Sequence, residues 1–206
     1  MKYTLFVLFC FIGFYSFSQT QKDSLFTKDI NALVEELEFM YGYDQLVREY
    51  TIFKTFNKNI TDSIENLDAD ARTREIAHRH FISNPLKNSI WKHYITPMDS
   101  MHTKRLLEIT EVYGFPGVKR IKSVYHKDFD DPEFNPYLIL VHAPEVFWDD
   151  IKRTMKKELE EGRINQCTYG HILWHISGRK SLQPMLDNGY VLVTEDGQTI
   201  VKSTCQ

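Results

Sequence analysis

Between Ser24 and Tyr41 the apolar side chains fall at Leu25, Phe26, Ile30, Leu33, Val34, Leu37 and Tyr41. Steps of three and four put them on one stripe of an α-helix, a period that no strand accommodates. A helix with one apolar stripe must bury it against neighbouring elements, so this segment constrains the whole chain toward packed helices. Further along, Asp44 is placed to cap a second helix once Gly42 has ended the first, with Leu46, Val47, Tyr50, Phe53 and Phe56 on its apolar side. Thr61 to Ser83 reads as a third, more polar helix stopped by Asn84-Pro85, because proline drives the preceding residue out of helical geometry. Asp99 opens a helix that ends at Tyr113, where Gly114 and Pro116 forbid continuation. Pro144 to Glu161 carries acids early, bases late and Gly162 at its close, the sense that the helix dipole favours. Another helix runs from about Thr168 to Gly178. Lys119 to Asn135 is a connector with at most a short helix, and Tyr137 to Val141 is an apolar run that fits a buried strand or a buried helical turn. Only the end is strand-like: Tyr190 to Thr194 and Thr199 to Ser203 flank turn-forming residues. The expected fold is therefore mainly α, a single-domain, bundle-like helical array with a small C-terminal β-hairpin.

The first residues have a different character. Lys2 precedes an apolar run from Tyr3 to Phe17, small residues stand at Ser16 and Ser18, and the chain then turns abruptly polar. That is the pattern of a cleaved export signal. The run is shorter than the roughly 20 residues needed to cross a bilayer and is interrupted by Thr4, Gly13 and Ser16, so no stable membrane span is expected once it is removed. Cys10 follows Phe9 rather than a small residue, which argues against a lipid anchor. The division is then a signal over 1–18, a helical domain over 19–188, and a hairpin and tail over 189–206, in a periplasmic or secreted protein. Of 25 basic and 28 acidic residues the signal holds only Lys2, leaving the remainder at −4. Mild acidity without a basic face argues against nucleic acid as a partner. Cys167 and Cys205 remain in that part, and an oxidising compartment allows them to pair, although spacing alone does not show that they meet.

Eight histidines raise the question of a divalent metal. His171 and His175, four apart, project from one helix face as two ligands would, but a zinc-protease helix has Glu directly after its first His, where this chain has Ile172. His78 and His80 lie on different faces. The acidic stretch Asp128, Asp130, Asp131 and Glu133 lacks the Gly and Glu of a calcium loop, and reads as a solvated connector. Cys167 with His171 can be drawn as a thiol and its base on one helix face. No cofactor is expected, with a divalent metal at His171 and His175 as the alternative.

Two segments carry a resemblance. Asp44-Gln45 followed by Arg48, and Asp99 through Leu106 and Ile109 to the run Tyr113 to Pro116, occur in that order. Then come an apolar run ending in His142, a helix closed by Glu161-Gly162 and another opening at Tyr169. Over roughly residues 33–179 the chain resembles a bacterial family numbered 6624 among domains of unknown function. It departs from that family at Trp174-His175, where an Asp-Arg pair is usual, and it lacks the family's Tyr-Gly-Thr-Gln end; the hairpin is then a private addition. The resemblance points to a polar constellation carried by helices, in which Arg48 grips a carboxylate or phosphate through two parallel hydrogen bonds.

The expected function is a ligand-binding or protein-interaction module whose pocket is lined by Asp44, Arg48 and His142, for an unidentified small molecule or protein. Two other readings compete with it: a hydrolase using His142 or the His171 and His175 pair, with a metal if one binds, and a structural protein of the envelope without a ligand. Geometry separates them, since an enzyme needs titratable groups converging within reach of one another.

Overall fold

A computed structural model describes residues 2–79, 82–195 and 197–205, with side chains from Gln21 onward. The expected signal thus lies outside the residues whose side chains are described, as do His80 and Phe81. The fold is mainly α with one antiparallel hairpin at the C-terminal end.

Helix α1 spans Lys2–Phe53 without interruption. Gly42 does not end it. A glycine inside a helix costs about 1 kcal/mol, and burial of Tyr41 on one side and Phe53 on the other outweighs that cost. Asp44 is therefore not a helix cap; it stands inside α1, in its C-terminal part, and is buried. The stripe read from the sequence is the core of the molecule. Phe26, Val34 and Leu37 are almost fully buried, and they pack with Leu106, Ile109, Leu140, Ile151, Met155 and Ile172 from later helices.

The polar helix expected over 61–83 is two helices, α2 (Lys58–Glu65) and α3 (Ala69–His78). The cause is Asp68, whose carboxylate accepts the Ala71 N–H at 2.8 Å and so starts a new helix. Asn84-Pro85 begins α4 (Asn84–Ile90), with proline in the first turn where its missing N–H costs nothing. From α4 the chain continues through a π-helical turn, Trp91–Ile95, into α5 (Thr96–Tyr113). Pro97 offers no N–H to the carbonyl four residues back, and the Thr96 N–H reaches instead to Trp91 O, five back.

After Gly114 come α6 (Val118–Lys122) and the connector, then α7 (Tyr137–Val141), so the apolar run whose state the sequence left open is a helical turn. A 3-10 turn, Glu145–Phe147, leads into α8 (Trp148–Glu160), followed by α9 (Gln166–Ile176) and α10 (Gln183–Leu186). Strands β1 (Tyr190–Glu195) and β2 (Gln198–Ser203) pair from Tyr190 opposite Ser203 to Glu195 opposite Gln198. Cys167 on α9 and Cys205 beyond β2 form a disulfide, their Cα atoms 6.0 Å apart, which ties the tail to the helical body. A thiol–imidazole pair of Cys167 and His171 is thereby ruled out.

One ion pair lies deep in the body. Glu158, 1% exposed, accepts the Phe115 N–H at 2.7 Å and pairs with Arg163, which also contacts Glu161. Gly114 sits against that guanidinium at φ +75°, and a Cβ there would meet Arg163 Nε at 2.4 Å, so both the turn and the close approach demand glycine. Among the described residues no helix is long and apolar enough to cross a membrane.

Candidate functional site

Asp44 and Arg48 are one turn apart on α1, so the sequence spacing alone makes them neighbours. Arg48 Nε donates to Asp44 Oδ1 at 3.0 Å. The other end of the guanidinium, Nη2, donates to Asp99 Oδ1 at 2.5 Å, joining α1 to α5. The π turn supports this arrangement from the side: Trp91 lies under the Arg48 guanidinium at 5.2 Å, and the Tyr94 carbonyl accepts the Tyr43 hydroxyl at 3.3 Å. Arg48 is thus occupied by two carboxylates and an aromatic face. Through Nε and Nη2 it grips the carboxylates of the protein's own Asp44 and Asp99.

His142 closes the cluster from α7, 98 residues away in sequence. Its Nδ1 lies 3.1 Å from Asp44 Oδ1 and 2.9 Å from Oδ2, while Gln45 donates to Oδ2 at 2.7 Å. An ionised carboxylate only accepts, so Nδ1 carries a proton, and whenever the ring is neutral Nε2 is the acceptor. The His142 side chain remains 27% exposed, whereas Asp44 is 7% exposed. Burial by itself would raise the Asp44 pKa, but the hydrogen bond from His142 and the charges of His142 and Arg48 hold it below the ordinary carboxylate value. Asp99 goes the other way, because its burial outweighs the pull of Arg48. Asp44, Arg48 and His142 thus converge on one cluster.

Two residues belong here that sequence reasoning did not place in the site. Asp99 was read only as a helix cap and as part of the family motif. His102, one turn further along α5, is 4% exposed with its ring edge-on to Tyr43 at 5.8 Å. Burial lowers its pKa, against an upward pull from Asp44. Nothing in the sequence marks His102, since its neighbours come from α1, more than fifty residues earlier; the only trace is its spacing of three from Asp99.

His171 and His175 do share one face of α9, with ring centroids 4.7 Å apart. Tyr137 and Trp174 pack on His171 at 5.5 and 5.7 Å. Burial lowers both histidines; for His175, burial with His171, Arg179 and His142 nearby brings the pKa down to about 4. Among the described residues no three His, Cys, Asp or Glu side chains gather as a metal ion would require. The rings of Tyr137 and Trp174 stand around the pair.

The larger clefts lie elsewhere. One of about 570 Å³ between α5 and α8 is lined by charges of both signs, including Lys22, Lys104, Asp150 and Arg153. Another of about 590 Å³ lies between α1 and the acidic connector. In the first, Arg153 and Asp150 pair at 2.5 Å. No family model, curated protein or solved structure matches the chain.

Proposed function

We propose that this chain is an exported domain that binds a small polar ligand at His142, over the network of Asp44, Arg48 and Asp99. The observation that carries this reading is the single buried carboxylate of Asp44, shared between the His142 Nδ1–H and Arg48. The imidazole that joins the pair keeps 27% of its side chain exposed, so it stays reachable from outside. Here the carboxylate fixes the ring's tautomer and orientation and presents Nε2 outward, the way oriented histidines are prepared to meet a ligand. Asp44, Arg48, Asp99 and His142 are also the residues through which the chain resembles family 6624. The hydrophobic leader and the Cys167–Cys205 bridge support an oxidising compartment outside the cytoplasm.

The same pairing favours a second reading, in which His142 is the general base of a hydrolase. A carboxylate bonded to Nδ1 stabilises the imidazolium that forms when Nε2 takes a proton.

A thermal-shift screen of small metabolites against the chain from residue 19 onward, run beside His142→Ala, tests the proposal. A ligand at a hundredfold its Kd adds about 2.7 kcal/mol of stability. Compounds that stabilise the wild type and not the variant support binding at His142, and turnover of such a compound, lost in the same variant, selects the hydrolase. Stabilisation that survives in His142→Ala, or none from any compound, counts against both.

A further inference from the structure

We propose that the groove between α1 and the connector holds a small organic cation, an ammonium group carried on an aliphatic stem. Its volume of about 590 Å³ falls within the roughly 300–1,000 Å³ of small-molecule sites. Two hydrogen bonds, each between residues 92 apart in sequence, fix its walls. The Asp130 N–H donates to Glu38 Oε1 at 2.8 Å, and the Tyr41 hydroxyl donates to the Glu133 carbonyl at 3.1 Å. Tyr41, Pro132 and Phe134 supply apolar wall, with the rings of Tyr41 and Phe134 meeting edge to face at 5.5 Å. Phe39 lines the same groove and is 65% exposed, an aromatic side chain that the fold itself leaves uncovered.

Charge selects the occupant. Glu35 and Glu38 come from α1, Asp130 and Asp131 come from the connector, and Lys58 is the single base among the lining residues. That lysine is already engaged, pairing with Asp62 at 2.8 Å. Among the described residues none of the four carboxylates has a basic partner; Glu38 accepts the Asp130 N–H, and Asp131 accepts the Glu133 N–H at 2.8 Å. Like charges gathered from two distant parts of the chain repel one another, and an entering cation relieves that repulsion. Tyr41 registers the same field: burial pushes its phenol up to about 12, with Asp131 and Glu133 pressing the same way. A bare metal ion would leave Phe39 and the apolar wall unused, whereas an ammonium on a stem sets its charge among the carboxylates and its hydrocarbon against the rings. The connector already makes such a contact within the chain, Lys122 Nζ lying 5.4 Å from the centre of the Phe129 ring.

Nothing in this groove depends on His142, and the experiment keeps the two sites apart. Pentylammonium is titrated calorimetrically into the purified full-length protein at low ionic strength, beside methylammonium, which has the charge without the stem, and pentanol, which has the stem without the charge. Pentylammonium is expected to bind about tenfold more tightly than either control and to weaken as sodium chloride is added. Glu35→Gln combined with Asp130→Asn, both at exposed positions, should weaken it about tenfold, and Phe39→Ala about threefold. His142→Ala should leave it unchanged. Equal binding of pentanol would mean that charge plays no part, and equal binding of methylammonium that the rings play none; either result overturns the assignment, as does silence from all three. If a lysine-rich peptide binds where pentylammonium does not, the groove is a protein docking surface instead. Loss of binding in His142→Ala would put the amine at the other site, whereas failure of the groove alone leaves the His142 reading standing. Should a groove variant fail to fold, the two control compounds and the salt dependence decide on the wild type.

Discussion

Asp44 holds an imidazolium-forming ring and a guanidinium with one carboxylate, so its loss is felt at two places. Asp44→Asn keeps the shape but removes the charge, and unfolding by urea should show a loss of about 1–3 kcal/mol, the cost of buried partners left poorly matched. Because the Asp44 pKa is held below its ordinary value of 3.8, its stabilisation is full above that value and disappears as the pH falls through the folded-state value. His175 acts in a different window. Its pKa falls from 6.5 to about 4, so between those values the unfolded chain takes a proton that the folded chain refuses, and stability declines as the medium is acidified. Denaturation midpoints measured from pH 7 to pH 4 should show that decline, and His175→Gln should flatten it; an unchanged profile would mean that the ring is solvated. At this scale the sequence showed the Asp44 and Arg48 pair, because four-residue spacing on a helix is a local fact. It hid the engagement of Arg48 by Asp99 and the burial of His102, because both depend on which helix lies opposite.

Element boundaries divide in the same way. The stripe from Phe26 to Tyr41 was legible since periodicity is written along the chain, and so were the hairpin and the helix now seen as α8. The continuity of α1 through Gly42 was not. Local propensity favours a break there, and only burial on both sides of the glycine overrides it. A direct test follows: Gly42 keeps helical geometry with nothing within 4 Å of a Cβ, so Gly42→Ala should raise stability by about 0.5–1 kcal/mol. Calorimetric melting that shows destabilisation instead would contradict an uninterrupted helix. The split between α2 and α3 had a visible signal in Asp68 that the weak apolar pattern of that region obscured. The π turn was the least legible element, for Pro97 announces an irregularity without saying how the chain absorbs it. That turn brings Trp91 and the Tyr94 carbonyl against α1, so a detail of backbone register decides how Arg48 is held.

Across the whole molecule, the disulfide is the strongest single constraint on the C-terminal part. It closes a separation of 38 residues, and the chain-entropy account gives about 4 kcal/mol for a loop of that size. Reduction, or Cys205→Ser, should lower stability by up to that amount and expose β1 and β2 to limited proteolysis before the helical body is cut. Cleavage that begins in α5 or α8 would show the bridge to be incidental. Gly189 is part of the same device: at φ +80° a Cβ would meet Cys167 Sγ at 2.8 Å, so no larger residue fits beneath the bridge.

The long separation between α1 and its partners has a consequence for how the protein is made. The ribosome delivers Phe26 to Tyr41 first, yet the side chains that cover them in α5, α7, α8 and α9 arrive only after some 70 to 140 further residues, on the numbering of the core. Throughout that interval the nascent chain carries an adhesive, uncovered surface. Its body therefore assembles late, from the middle and end of the chain back onto the beginning.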